Sequence, residues 1–449
     1  MRKTGLVQIA YPSTNNVTAS SHYRFAFLVV WSQRFYKKCG NNKYIYYLCG
    51  WYRNKNMDMR IRESIRIKDV GPIKELTIED IKPFTVFIGS SASGKSTIMK
   101  IVVLMRYIYK MVNIRSYLKN SNINKSPFRI RFDSLLNDGL EKMVSASSEI
   151  EYTVRTADGN EYKISYSGKK LYANILVPNK DLTFFKESFI AETRSMIPMW
   201  ASKVSSNKGA KLGFYFHETF KDFNDASEYS KVLDLDFMSM RMKIMSTKNG
   251  KRYVMEDVGE NATASFELRH ASSGIQTAVP LLLILHYFSN DFSFKDAFQR
   301  SVLTYLFEQD RLSDYKPGIE RNEIDNYVHI HIEEPELSLD PNSQRTLLDM
   351  MLRQAFHDKA DDRTLGVMIA THSPYIVNQL NVFLRASYSE EARGKFTFIT
   401  EDEVAVYSVG GGTIHSLMAT DNNSGETVIN TIDLSDPMAE IYNDYVNIK

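Results

Sequence analysis

The sequence predicts an α/β fold whose two halves are separated by an inserted antiparallel β and helical region. Three observations predict it. A short apolar stretch, Pro83 to Ile88, runs into a glycine- and serine-rich turn and then into helical apolar spacing. After Phe266, apolar helices again alternate with short strands that read as buried. Between these halves the chain alternates with period two around glycine-containing turns. Strand–helix alternation at both ends implies one sheet covered by helices, with the β-rich middle as an insertion.

Taken in order, Ile61, Ser64, Ile65 and Ile67 lie in a strand-like stretch that turns at Gly71-Pro72. Ile73 to Ile78 reads as the second strand, and Pro83 to Ile88 as a short buried one. Thr97 to Tyr117 carries Ile101, Leu104, Met105 and Ile108 at helical spacing. Residues 128–176 read as antiparallel strands, with Asp158-Gly159 as a hairpin turn inside the alternating run Glu149 to Ser165. Residues 200–211 read as a mobile polar loop, 220–245 as an amphipathic helix and Asn249-Gly250 as a second hairpin turn. Helices follow at 274–288, 294–312 and 341–356, with strands at 327–332 and 366–370. The expected organisation is an extension at 1–56, a first lobe at 57–118, the insertion at 119–265 and a second lobe at 266–449.

Composition narrows the class. The chain has 449 residues, 43% hydrophobic and 24% charged, which excludes collagen-like and wholly disordered proteins. Its net charge of +3 hides an asymmetry. Residues 1–56 hold nine basic residues and no acidic one, whereas 57–449 hold 47 basic and 53 acidic, a net of −6. Both cysteines, Cys39 and Cys49, fall in the basic segment. The cysteine-free remainder fits a reducing cytosol and removes disulfides and Cys-ligated zinc. The only apolar run of the extension, Phe25 to Trp31, is too short to span a bilayer. That extension reads either as a basic arm for nucleic acid or lipid, as a transit segment, or as translation begun ahead of Met57.

The chemistry concentrates in four places. Gly89-Ser90-Ser91-Ala92-Ser93-Gly94-Lys95-Ser96-Thr97 matches G-x4-G-K-S in the strand-to-helix context that the motif requires. Small residues let successive N–H groups curl around a phosphate, and the helix start adds positive potential. Lys95 would reach the β and γ phosphates of ATP, and the Ser96 hydroxyl would bind Mg²⁺. Glu333 and Glu334 end an apolar strand, where the first would hold the Mg²⁺ shell and the second would orient or deprotonate the attacking water. His372, in Thr371-His372-Ser373-Pro374, stands where a strand end can reach a γ-phosphate. Ser272-Ser273-Gly274 opens an apolar helix and reads as an N-cap or a second anion-binding surface. His329 and His331 read either as metal ligands on one strand face or as polar packing beneath a helix.

In combination, the order of P-loop, long insertion, Ser-Ser-Gly-x-Gln, acidic pair with Pro335, Leu339-Asp340-Pro341 and Thr-His-Ser resembles the ATP-binding-cassette ATPases of the SMC/RecF/OLD branch. Val70 to Lys74 and Ile190 to Ser195 also look like that group, and the resemblance covers about 60–449. It is most similar to stand-alone ATPases of bacterial anti-phage systems, of PARIS type first and Septu type next. The resemblance implies a homodimer or higher homo-oligomer with composite sites. One subunit would give Lys95, Ser96, Glu333, Glu334 and His372; the other would give Ser272, Ser273 and Gly274, with Asp340 on the loop joining the two sites. Two departures stand out: Glu333 replaces the usual aspartate, and Ser91-Ala92 replaces the common Asn-Gly. No glutamine can be placed on the usual Mg²⁺-sensing loop. The 77 residues after His372 contain no Asp-x-Asp, so a nuclease effector is expected in trans, Toprim-like rather than HNH, with a phage protein as trigger. The alternatives are a repair ATPase that clamps DNA directly, against which the net −6 of 57–449 argues although Lys169-Lys170 and Arg241-Met242-Lys243 form short basic runs, and a non-catalytic scaffold locked by nucleotide, against which Glu334 argues.

Overall fold

A computed structural model describes residues 61–121, 123, 132–136, 138–201, 213–248, 250–258, 265–308, 324–360, 363–434 and 436–448. The extension 1–56, most of the 200–211 loop and the end of the 294–312 helix lie outside them.

The fold is mixed α/β. In chain order, β1 (Ile61–Val70), β2 (Ile73–Ile78) and β3 (Phe84–Ile88) precede a long helix, α1 (Lys95–Asn120). The insertion supplies β4 (Val144–Thr156), β5 (Glu161–Ser167), β6 (Lys170–Tyr172), β7 (Thr183–Ile190), helix α2 (Phe214–Tyr229), β8 (Val232–Leu235), β9 (Met240–Thr247) and β10 (Gly250–Asp257). Then come β11 (Ser265–Glu267), α3 (Ser273–His286), α4 (Phe294–Glu308), β12 (Asp325–Glu333), α5 (Pro341–Leu352), β13 (Leu365–Thr371) and α6 (Pro374–Ala386). The chain closes with β14 (Val404–Gly410), β15 (Thr413–Ser416), β16 (Met418–Thr420), β17 (Thr427–Ile429) and α7 (Asp436–Asn447).

The core sheet has the order β15-β14-β3-β13-β12-β7 and is parallel except at the β15 edge. Its inner strands are buried along their length: Phe84–Ile88 is buried at every position, as are Val328 to Glu333. Helices on both faces demand this, because neither side of the strand meets water. Two antiparallel sheets, β2-β1-β4-β5-β6 and β11-β10-β9-β8, come from the N-terminal hairpin and the insertion. Helix α1 lies between the first of these and the core sheet. Its Arg106 reaches Glu63 of β1 at 2.7 Å and His331 of β12 at 3.1 Å.

Two expectations are corrected. Residues 220–245 are not one helix. Helix α2 stops at Tyr229, and the chain then pairs β8 with β9 in antiparallel register, Val232 opposite Lys243. Beyond Ser230 the buried residues are Leu233 and Leu235, then Met242 and Ile244, a period of two that only a strand can turn to one side. Nor does the insertion lie wholly outside the core, because β7 pairs in parallel with β12 and completes that sheet. Among the described residues no helix is long and apolar enough to cross a membrane.

Candidate functional site

The site forms at the carboxyl ends of β3, β12 and β13, where a parallel sheet opens a crevice between its helices. Strand β3 ends at Ile88 and the loop begins at Gly89. A Cβ on Gly89 would stand 2.3 Å from the main-chain oxygen of Val409, so only glycine fits against β14. Ala92 (φ 62) and Gly94 (φ 108) take left-handed backbone conformations that wind the loop into the start of α1. Ala92 is therefore a costlier solution than glycine at the same turn. The Lys95 ammonium folds back onto the loop, donating to the carbonyls of Gly89 and Ser90 at 2.9 Å each. Burial lowers its pKa, while Glu334 and Glu336 pull the other way. Ser93 Oγ is buried with no hydrogen-bond partner among the described residues. An orphaned hydroxyl and a glycine cradle at the start of a helix fit a phosphate.

Glu333 ends β12 and is buried. Burial, then a hydrogen bond with Glu192, pushes its carboxyl up to about 8, while Lys100 and the Ser96 hydroxyl oppose the rise. Glu192, two residues past the end of β7, is the partner that holds its own proton less tightly, owing first to that same hydrogen bond. Two carboxyls and a hydroxyl facing one another form a hard-oxygen donor set suited to Mg²⁺, which keeps several waters and binds through few protein ligands. Among the described residues no group of three or more His, Cys, Asp or Glu side chains is arranged to hold a metal ion. Glu192 was missed from the sequence. The signal available was an acid just past a strand that ends beside the acidic pair.

Glu334 is left-handed (φ 44), with its N–H bonded to Ala370 of β13 at 2.8 Å. That turn swings its carboxylate to 3.5 Å from His372 Nε2, both side chains remaining partly exposed. Glu336 accepts from the His372 main-chain N–H at 2.7 Å and fixes the loop after β13. Ser373 caps α6, with Pro374 at its first position.

Residues 89–97, Glu333, Glu334 and His372 thus converge within one chain. The other predicted residues are placed differently. Ser272 stands at the N-cap position of α3, but its hydroxyl makes no capping bond, and Ser272 and Ser273 are both exposed. Gly274 packs against the loop after β12, where a Cβ would meet the Ser338 carbonyl at 2.9 Å. Asp340 caps α5, accepting from the N–H groups of Asn342 and Ser343 at 2.9 and 3.2 Å. His329 and His331 are packing residues. His329 bonds Glu187 at 2.8 Å, and His331 bonds the Ser188 carbonyl at 3.2 Å. Burial pushes His331 down to about 3, which keeps it neutral beside Arg106.

No protein-family model matches the chain, and no curated protein matches it. Solved structures similar to it include the SMC head domain from Thermotoga maritima, at 11% identity and a TM-score of 0.32, over 80% of this chain and 98% of that one. The recombination mediator protein RecF with a bound ATP analogue is similar at 11% identity and a TM-score of 0.34, over 80% and 98%. The ATP-binding cassette MJ0796, a dimer with ADP and phosphate, is similar at 12% identity and a TM-score of 0.27, over 79% and 99%.

Proposed function

We propose that this chain binds and hydrolyses ATP with Mg²⁺ at a composite site between copies of itself. The observation that carries the proposal is the meeting of the Gly89–Thr97 loop with Ser96, Glu333, Glu334 and His372 at the ends of three parallel strands. ATP would supply the transferable γ-phosphoryl group, and Mg²⁺ would neutralise charge on its oxygens. The loop N–H groups and Lys95, once it lets go of the Gly89 and Ser90 carbonyls, bind phosphate oxygens. Ser96 and Glu333, joined by Glu192, would hold the metal shell. Glu334 would orient water and take its proton, and His372, 3.5 Å from Glu334, would donate to the phosphate. The exposed Ser272 and Ser273 hydroxyls and the first turn of α3 are free to meet a nucleotide on another copy.

The cellular role we propose is that of sensor and scaffold in an anti-phage complex, cytoplasmic and bacterial, that holds a Toprim-like nuclease in trans and releases it on a phage trigger. The motif order supports it. The test of the chemistry is Glu334→Gln. Hydrolysis should fall by on the order of 10²–10⁴, as expected on removing a general base. ATP should be retained, and the oligomer should become stable in sedimentation. Wild-type turnover by Glu334→Gln would refute the role. Purification of the full chain with mass measurement of what accompanies it tests the partner. A Toprim-like nuclease supports the reading, and an HNH nuclease favours the Septu type. DNA held with steep salt dependence after deletion of 1–56 favours direct clamping.

A further inference from the structure

Arg194 is fully buried in the turn Glu192–Met196, two residues past Glu192. Among the described residues it forms no ion pair. Its guanidinium instead donates to four main-chain carbonyls. Nη1 reaches Ala191 at 3.2 Å and Glu333 at 2.7 Å, Nη2 reaches Glu334 at 2.6 Å, and Nε reaches Thr277 at 3.2 Å. Burying a guanidinium without a carboxylate partner is costly, and it is tolerated here because its donors are filled in a fixed fork. The four acceptors lie on three elements: the turn after β7, the end of β12 and the first turns of α3. The Glu334 carbonyl belongs to the left-handed residue whose backbone aims the carboxylate at His372. Thr277 lies four residues after Ser273, on the helix whose start is exposed. A second tie joins the same parts, since the Thr277 hydroxyl donates to the Leu337 carbonyl at 2.9 Å.

We infer that Arg194 is a positioning residue that couples the seating of α3 to the left-handed turn at Glu334, and so sets the aim of the Glu334 carboxylate. The coupling is physical. A shift of α3 on contact with a second copy moves the Thr277 carbonyl, and the rigid fork passes that shift to Glu333 and Glu334. The inference rests on the reading of Glu334 as the group that handles the attacking water.

The test is Arg194→Lys in the full chain, which keeps the charge and loses the fork. The expected result is a fall in kcat on the order of tenfold or more, with KM for ATP and nucleotide affinity within about twofold, because the phosphate loop is untouched. In the Glu334→Gln background the same change should lower the residual single-turnover rate no further. An unchanged kcat overturns the inference, as does an equal proportional fall in both backgrounds, which would mark a merely structural role. If Glu334→Gln itself turns over at the wild-type rate, the base reading has failed first and is identified as the fault. Should Arg194→Lys not fold, Arg194→Gln provides the second variant. It keeps a hydrogen-bonding head but spans fewer of the four carbonyls and should lower kcat several-fold without changing nucleotide affinity, whereas a wild-type kcat overturns the coupling.

Discussion

Replacing Gly89 by alanine tests whether the phosphate loop is held as tightly as its contacts imply. The added Cβ would lie 2.3 Å from the Val409 carbonyl oxygen, more than 1 Å inside the 3.4 Å where ordinary contact begins. Both groups are main chain, so no rotamer relieves the clash. Either the loop lifts, or the end of β14 pulls away from β3, where Ser408 pairs with Ile88. Overpacking of this kind costs about 1–3 kcal/mol. If the loop yields, that cost appears as roughly 5- to 150-fold weaker nucleotide binding. If β14 yields, it appears as lost stability in urea unfolding. The assay is titration with a fluorescent ATP analogue alongside urea denaturation. Gly410→Ala is the control, because a Cβ there meets nothing within 4 Å. Wild-type affinity together with wild-type stability in Gly89→Ala would refute the packing argument.

Two further predictions address the buried network and the α3 start. His331 is pushed down to about 3 by burial. Burial would raise Glu63, but Arg106 and His329 outweigh it and hold it down to about 2. Both folded values lie below the unfolded ones, so the unfolded chain takes up protons first. Stability is then fully present above about pH 6.5 and falls as the pH drops, by about 1.4 kcal/mol per unit for each extra proton bound. Urea unfolding at pH 7.5, 6.5 and 5.5 reads this slope, and His331→Gln should flatten it; an identical slope would show that His331 is not the titrating group. Gly274→Ala should disturb α3 against the Ser338 carbonyl, 2.9 Å from the new Cβ, and lower hydrolysis on the order of tenfold, about 1.4 kcal/mol. Nucleotide affinity of the single chain, read by the same titration, should not change, and a parallel loss of affinity would contradict the assignment.

What could be read from the sequence was local and contiguous. The loop Gly89–Thr97 carries its own glycine spacing, and Pro83 to Ile88 shows the unbroken apolar run of a strand buried on both faces. Glu333 and Glu334 were legible because a strand long enough to be placed ends on them. What was hidden depends on distant partners. Strand β7 carries Lys186 and Glu187 mid-run, which reads as exposed until Asp222 and His329 are seen to pair with them at 3.1 and 2.8 Å. Glu192 and Arg194 gain meaning only because β7 lies beside β12, a neighbour more than 130 residues away in the chain. Within the 220–245 helix reading, the part from Val232 onward fits a helical face as well as a strand face because so many of its residues are apolar, until the β8–β9 pairing breaks the tie.

The central claim is that each nucleotide site is shared between two copies, and mixing two inactive variants tests it most directly. Lys95→Ala removes the phosphate lysine of one half-site, and Ser273→Arg blocks the other half with a bulky charge. Each alone should fail to hydrolyse ATP. In a mixed oligomer, the loop of the Ser273→Arg copy can meet the α3 start of the Lys95→Ala copy. The account predicts that hydrolysis returns on mixing and scales with the proportion of mixed pairs. Wild-type hydrolysis by Ser273→Arg alone, in a preparation that sediments as a monomer, would contradict it.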